Sequence, residues 1–140
     1  YLTGVQLEIG TQATPFEHRS VGEELALCQR YYFKLAEDLG DGVQRPIFNA
    51  QAYNNSTCYG NVHFPCTMRT FPSIDATSGG NYYISYGNGS STYSTALVLE
   101  KIGQTSTELE TTGGSFTQGS AYFTRTTSGN GGYIAFTAEL

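Results

Sequence analysis

From Tyr32 onward the chain is cut into short runs by glycine- and asparagine-rich breaks, and this punctuation constrains the fold more than any other feature. The breaks are Asp41-Gly42, Asn54-Asn55, Gly79-Gly80, Gly87-Asn88-Gly89, Gly113-Gly114 and Gly129-Asn130-Gly131-Gly132. These residues tolerate the backbone conformations that tight turns need, so each break marks a reversal of the chain. Reversals every ~8 to 12 residues leave room only for short strands, which predicts a mainly β domain, an antiparallel β-sandwich or jelly roll. Strands are expected over Gln44 to Tyr53, Gly60 to Thr67, Ser73 to Ala76, Tyr82 to Tyr86, Thr92 to Ile102, Ser106 to Thr111, Gly114 to Thr124 and Gly132 to Ala138. The sequence has no internal repeats, which argues against a propeller or solenoid.

Upstream the pattern differs. Leu2 to Ile9 alternates imperfectly, as a short strand would, and Gly10 to Arg19 reads as a linker. Ser20 with Glu23 three residues on forms a capping box, in which hydroxyl and carboxylate each satisfy a free backbone amide. A single short helix is therefore expected from Ser20 to Tyr32, with Val21, Leu25, Cys28 and Tyr32 on one face and Leu27 and Tyr31 widening it. The expected division is 1–19, the end of an upstream domain plus linker, and 20–140, the β domain with its N-terminal helix. Tyr1 falls inside an alternating run, so the chain is expected to be the C-terminal piece of something longer.

Charge excludes some partners. The formal net charge is −5, and no basic stripe is available to neutralise phosphates, so nucleic acid is not expected as a partner. No apolar run approaches the ~20 residues that span a bilayer, and membrane insertion is not expected. Cys28, Cys58 and Cys66 make an odd count without a Cys-x-x-Cys pair, which suits free thiols in a reducing cytoplasm. Cys28 reads as a small buried hydrophobe on the helix. Cys58 and Cys66 would stand about 26 Å apart on an extended strand and could meet only across a hairpin at Gly60-Asn61.

No catalytic, metal or cofactor constellation stands out. His18 and His63 lack a nucleophile and acid at a known spacing, and His63 reads as a half-buried structural residue. Glu37, Asp38 and Asp41 read as a solvated turn after the helix, with a spacing foreign to helix-loop-helix calcium sites. Glu108 and Glu110 fall on one face of a strand, side by side rather than opposed across a cleft as glycoside hydrolysis requires. Binding chemistry is richer. The stretch from Gly79 to Tyr93 combines amphipathic rings with small polar residues, a mixture that gives contact area at low entropic cost and adaptable hydrogen bonds. Sugars have apolar ring faces and many hydroxyls, so Tyr82, Tyr83, Tyr86, Asn88 and Tyr93 are the candidate binding residues. The alternative is that these rings pack in the sandwich with their hydroxyls at the rim.

Three motifs add a family resemblance. The run Gly4-Val5-Gln6-Leu7-Glu8-Ile9-Gly10, continuing through Ala13-Thr14-Pro15-Phe16-Glu17 to Glu24-Leu25-Ala26-Leu27-Cys28-Gln29-Arg30-Tyr31-Tyr32, is the first. Phe64-Pro65-Cys66-Thr67-Met68-Arg69-Thr70-Phe71-Pro72 is the second, and the terminal Thr137-Ala138-Glu139-Leu140 the third. Together they resemble the C-terminal domain of tailed-bacteriophage tail-fibre or tail-tip proteins. The resemblance implies a virion exterior protein made in the bacterial cytoplasm, a homotrimer attached to upstream fibre or other virion proteins, and a non-enzymatic role in binding a host-surface glycan or other envelope receptor. The segment between Ser73 and Tyr133 lies outside the motifs, where partner specificity is expected. The apolar stripe of the helix must bury against the following sheet or against copies of itself; the resemblance favours the second and places Val21, Leu25, Leu27, Cys28 and Tyr31 at the trimer interface. It also singles out Arg30 and Arg69, whose expected partners are Glu17, Glu23, Glu24 or a neighbouring chain's carboxylates. Other roles for such a module are trimerisation without adhesion, capsid decoration, or folding chaperone of a fibre.

Burying Val21, Leu25 and Leu27 between copies would contribute on the order of 1.5 to 3 kcal/mol per side chain. Leu25→Asp is expected to convert a trimer into monomers. Light scattering of the unmodified chain checks the premise: a monomer at micromolar concentration refutes it.

Overall fold

The computed structural model describes residues 5–12 and 14–139. Residues 5–20 described there carry no helix or strand, and Leu7 and Ile9 are fully exposed. The strand expected over Leu2 to Ile9 is thus corrected for Val5 to Ile9, while Leu2 to Gly4 lie outside the described residues, as does Leu140 of the terminal motif. An alternating run becomes a strand only where a neighbour supplies a ladder for its amides, and none pairs with this one among the described residues.

The capping box forms as expected. Glu23 N–H donates to Ser20 Oγ at 3.2 Å and Ser20 N–H donates to Glu23 Oε2 at 2.9 Å, opening α1, Val21–Gln29. The helix ends earlier than expected, because Tyr31-Tyr32-Phe33 have strong strand preference and β1, Tyr32–Glu37, already pairs with the C-terminal strand. No residue of α1 is buried. Cys28, expected to be a buried hydrophobe, is exposed.

The remaining strands are β2 (Pro46–Ala52), β3 (Thr57–His63), β4 (Ser73–Ala76), β5 (Tyr83–Gly87), β6 (Ser90–Ser94), β7 (Ala96–Ile102), β8 (Ser106–Thr112), β9 (Ala121–Thr126) and β10 (Tyr133–Thr137). All pairings are antiparallel. A seven-stranded sheet runs in the order β6-β5-β9-β2-β3-β8-β7, and a three-stranded sheet in the order β1-β10-β4. The large sheet curls into a half-barrel. The single strand expected over Thr92 to Ile102 is two, β6 and β7, which form opposite edges of the large sheet and are separated only by Thr95. At that corner Thr95 N–H donates to the Thr112 carbonyl at 2.9 Å, and the Thr95 carbonyl accepts from Gly79 N–H at 3.0 Å.

The core lies between the inner face of the half-barrel and the small sheet. Ile134, Ala135 and Phe136 of β10 are wholly buried. The Phe136 ring meets Phe64 edge-on at 5.0 Å and stacks against Phe33 at 6.4 Å. Aromatic contacts of this kind add about 0.5–1.5 kcal/mol beyond the area they bury. In the sheet interior Phe48 lies over the backbone of Gly60: a Cβ there would sit 2.2 Å from Phe48 Cδ2 and 2.4 Å from the Asn49 carbonyl oxygen. Much of the inner face is hydroxylic. Thr107, Thr111, Thr124, Thr126, Ser85 and Ser94 are buried, and the Ser85 and Thr124 hydroxyls bond each other at 2.9 Å.

The motif around Met68 ties α1 to the β body. Met68 is buried, its N–H donating to the Gln104 carbonyl at 2.8 Å. Arg69 N–H donates to the Arg30 carbonyl at 2.8 Å, and its guanidinium lies 5.4 Å from the Tyr31 ring centroid. The ion pairs expected of Arg30 and Arg69 with Glu17, Glu23 or Glu24 are not made. Arg19 takes Glu17 at 2.6 Å and Glu24 at 3.3 Å instead, being closer along the chain. Cys66 directs its thiol at the Ala26 carbonyl, 3.5 Å away. All three cysteines are free; Cys58 lies in the core, where burial pushes its thiol up to about 11.

The acidic turn is also corrected. Glu37 belongs to β1 and bonds Lys34 at 2.9 Å, and Asp41 pairs with Arg45. Asp38 is buried rather than solvated. Its carboxylate accepts N–H bonds from Gly40 at 3.0 Å, Asn130 at 2.8 Å and Gly131 at 2.9 Å, joining two glycine turns distant in sequence. Those amides, Gly40 and Gly131 foremost, hold the carboxyl below its ordinary range. Because the folded value lies below the unfolded one, the stabilisation is full above the unfolded value, near 3.9, and is lost as pH falls through the folded value. Asp38→Asn is expected to lower Tm at pH 7, with the gap to the unmodified protein narrowing at pH 3 and below. An equal gap in thermal unfolding at both pH values would show that the charge is not what matters.

Candidate functional site

Alternation along each strand divides the large sheet into an inner face and an outer face. The register fixes what meets on the outside. Tyr93 stands opposite Ile84, and Ile84 opposite Arg125; Tyr86 stands opposite Phe123, and Phe123 opposite Asn49. Further across, Gln51, Tyr59, Glu110 and Val98 form one row, and Asn61, Glu108 and Lys101 the next. Tyr93, Phe123 and Val98 are 50%, 42% and 40% exposed, too accessible for core residues. The outer face is therefore an array of rings and amides held on a rigid ladder.

Two parts of this face differ in charge. On the β5–β9 side Tyr86 stacks on Phe123 at 5.6 Å and 20°, and Gln44 Nε2 donates to the Tyr86 hydroxyl at 3.0 Å. The Arg125 guanidinium lies 4.8 Å from the Phe123 centroid and 5.7 Å from that of Tyr86, an arrangement in which the cation is attracted to the ring faces. A depression of about 360 Å³ borders these residues, lined by Pro46, Asn49, Phe123 and Arg125 among others.

On the β2–β3–β8 side Tyr53 and Tyr59 meet edge-on at 5.8 Å and 70°. They line a depression of about 480 Å³ with Gln51, Asn61, Glu108 and Gln118. Here the charge is negative. Burial first, and then the hydrogen bond and charge of Glu100, raise the Glu110 carboxyl above its ordinary value. The Tyr59 hydroxyl is raised by burial and then by Glu110, Glu100 and Glu108.

The structure separates the residues singled out between Gly79 and Tyr93. Tyr83 is wholly buried; its hydroxyl donates to the Tyr133 carbonyl at 2.6 Å and bonds Thr77 Oγ1 at 3.0 Å. It is a core residue and leaves the binding set. Tyr82 is half-buried against the core. Tyr86 and Tyr93 lie on the outer face, but Tyr86 spends one ring face on Phe123. Asn88 caps the β5–β6 hairpin at φ 50° and donates through Nδ2 to Thr117 Oγ1 at 2.9 Å. Strand alternation sends neighbours to opposite faces, so the five residues form no single site. Val21, Leu25, Leu27, Cys28 and Tyr31 are all exposed, sharing one short segment.

Glu108 and Glu110 share a face of β8, as expected. His63 is exposed at the end of β3 rather than half-buried, and His18 packs edge-on to Phe16 at 4.9 Å. Tyr53, Tyr59, Gln51, Asn61, Phe123 and Arg125 were not anticipated. Their signal is the spacing of Asn49, Gln51 and Tyr53, and of Tyr59 and Asn61, at every second residue on both arms of one hairpin.

Because the folded Glu110 carboxyl is raised, ionising it costs stability, absent below the unfolded value and complete once pH exceeds the folded one. Glu110→Gln is expected to raise Tm at pH 7 and to leave it unchanged at pH 3; a loss of Tm at pH 7 would contradict this. No protein-family model, curated protein or solved structure matches this chain.

Proposed function

We propose that this domain is a non-enzymatic attachment module at the distal part of a phage tail fibre or tail tip, a homotrimer that binds a host-surface glycan through the outer face of its seven-stranded sheet. The observation that carries the binding role is that face itself, where Tyr93, Phe123, Tyr53 and Tyr59 alternate with Asn49, Gln51 and Asn61. Rings take up the apolar faces of sugars and amides both donate to and accept from their hydroxyls. A ladder of backbone bonds holds them in place, so little ordering entropy is spent on binding. The viral assignment rests on the three sequence motifs. The exposed apolar side chains of α1 support assembly through the helix, since the described residues leave Val21 and Leu25 largely uncovered.

Removing a ring at the centre of an interface typically costs about 2 kcal/mol or more, roughly thirtyfold in affinity. Phe123→Ala and Tyr93→Ala are expected to weaken binding of the fluorescently labelled domain to host cells by that order, with thermal unfolding and oligomer size nearly unchanged. Tyr86→Ala differs, because loss of its stack on Phe123 and its bond from Gln44 should also lower Tm. Unaltered cell binding by folded Phe123→Ala and Tyr93→Ala variants would overturn the outer face as the attachment surface.

A further inference from the structure

We propose that the Tyr53–Tyr59 depression is a subsite for an amino sugar with a free, protonated amine, an inference that rests on reading the outer face as a glycan-binding surface. The two rings stand at 70° to each other, so a sugar lying against the face of one meets the edge of the other. Gln51, Asn61 and Gln118 line the same depression, and each offers both donors and an acceptor to ring hydroxyls. At ≈ 480 Å³ the space falls within the range of small-molecule sites.

Charge decides which sugar. Glu108 lines the depression and has no ion-pair partner among the described residues. Its cross-strand neighbour Lys101 turns toward Glu100, 3.8 Å away. Glu110 lies beside Tyr59 in the next row. A carboxylated or phosphorylated sugar would meet like charge here, whereas an ammonium group would make a charge-assisted bond with Glu108. Arg125 supplies the opposite preference three strands away in the order β9-β2-β3-β8, about 14 Å at ordinary strand spacing. The two halves of the face thus discriminate in opposite senses. A sugar is favoured over a basic peptide because the depression opens on strands whose backbone groups are already paired on both sides, β2 and β3, leaving no free edge for a peptide to extend.

The test is calorimetry of the full chain with chitosan oligosaccharide, its fully N-acetylated counterpart, oligogalacturonate and tetralysine. The deacetylated oligosaccharide is expected to bind most tightly, with Tyr59→Ala and Glu108→Gln each weakening it by about tenfold or more. Phe123→Ala, outside the depression, should weaken it less than either. Glu108→Gln should also narrow the gap between the deacetylated and acetylated ligands, which a merely structural role for Glu108 would not do. If the acetylated ligand binds equally well through Tyr59, the amine preference is overturned while the glycan-binding reading stands. Tighter binding of oligogalacturonate, or of tetralysine, would overturn the subsite assignment. Failure of every saccharide, with host-cell binding still lost in Phe123→Ala, would overturn the amino-sugar subsite and leave attachment through the outer face intact.

Discussion

The single residue Thr95 joins the two edges of a seven-stranded sheet, and much of the molecule follows from that link. A flat sheet of this size would hold its edge strands about 29 Å apart. Two residues separated by one other can be at most about 7 Å apart. The sheet must therefore curl until Ser94 and Ala96 are neighbours, and the corner is held by backbone bonds from Thr95 to Thr112 and from Gly79 to Thr95. Gly113 makes the approach feasible: its φ is +80°, and a Cβ there would come within 2.2 Å of Thr95 Oγ1.

Curling gives the sheet an inside, and the small sheet closes it. β10 is the central strand of that lid, and its Phe136 bridges Phe33 on β1 and Phe64 beyond β3. Deleting such a ring from a packed core costs about 3–5 kcal/mol, a large share of the stability of a domain this size. Asp38 fastens the same lid from its rim by bonding the amides that precede β10. On the inner face the hydroxyls of Ser85 and Thr124 satisfy each other, and those of Thr107 and Thr126 bond to backbone groups, while Ser94 Oγ and Thr111 Oγ1 have no partner among the described residues. With the core enclosed on one side only, the other side of the large sheet is left to solvent, and there the rings, amides and opposed charges collect.

Among the described residues, the helix is tied to the β body through its C-terminal half. Its attachment to the β body runs through Arg69 and Tyr31, the Arg30 carbonyl, and the Cys66 thiol at Ala26. The apolar residues of α1 consequently stay exposed, Val21 most of all, and a monomer gains little from them. A homotrimer, the arrangement proposed here, would give them a use and would set three outer faces around one axis.

Class and punctuation were legible in the chain. Glycine turns bounded most strands to within a few residues, the capping box located the start of α1, and the period-two spacing put Glu108 and Glu110 on one face. Each of these is a local matter of backbone conformation or of side chains close in sequence. What the chain could not reveal was which strands pair and which face turns inward. β1 was hidden because Tyr31 and Tyr32 continue the apolar face of the helix before them, and only pairing with β10 let their strand preference prevail. The division at Thr95 was hidden because no glycine, asparagine or proline marks it, although the two halves pair with strands at opposite edges. Tyr83 and Tyr86 are alike in sequence context, and one is core while the other is surface. Buried threonines blurred the contrast between faces that alternation normally supplies. Local rules fixed where the chain turns and extends; long-range pairing and burial, which no short window of sequence contains, determined the curl, the lid and the face left open to solvent.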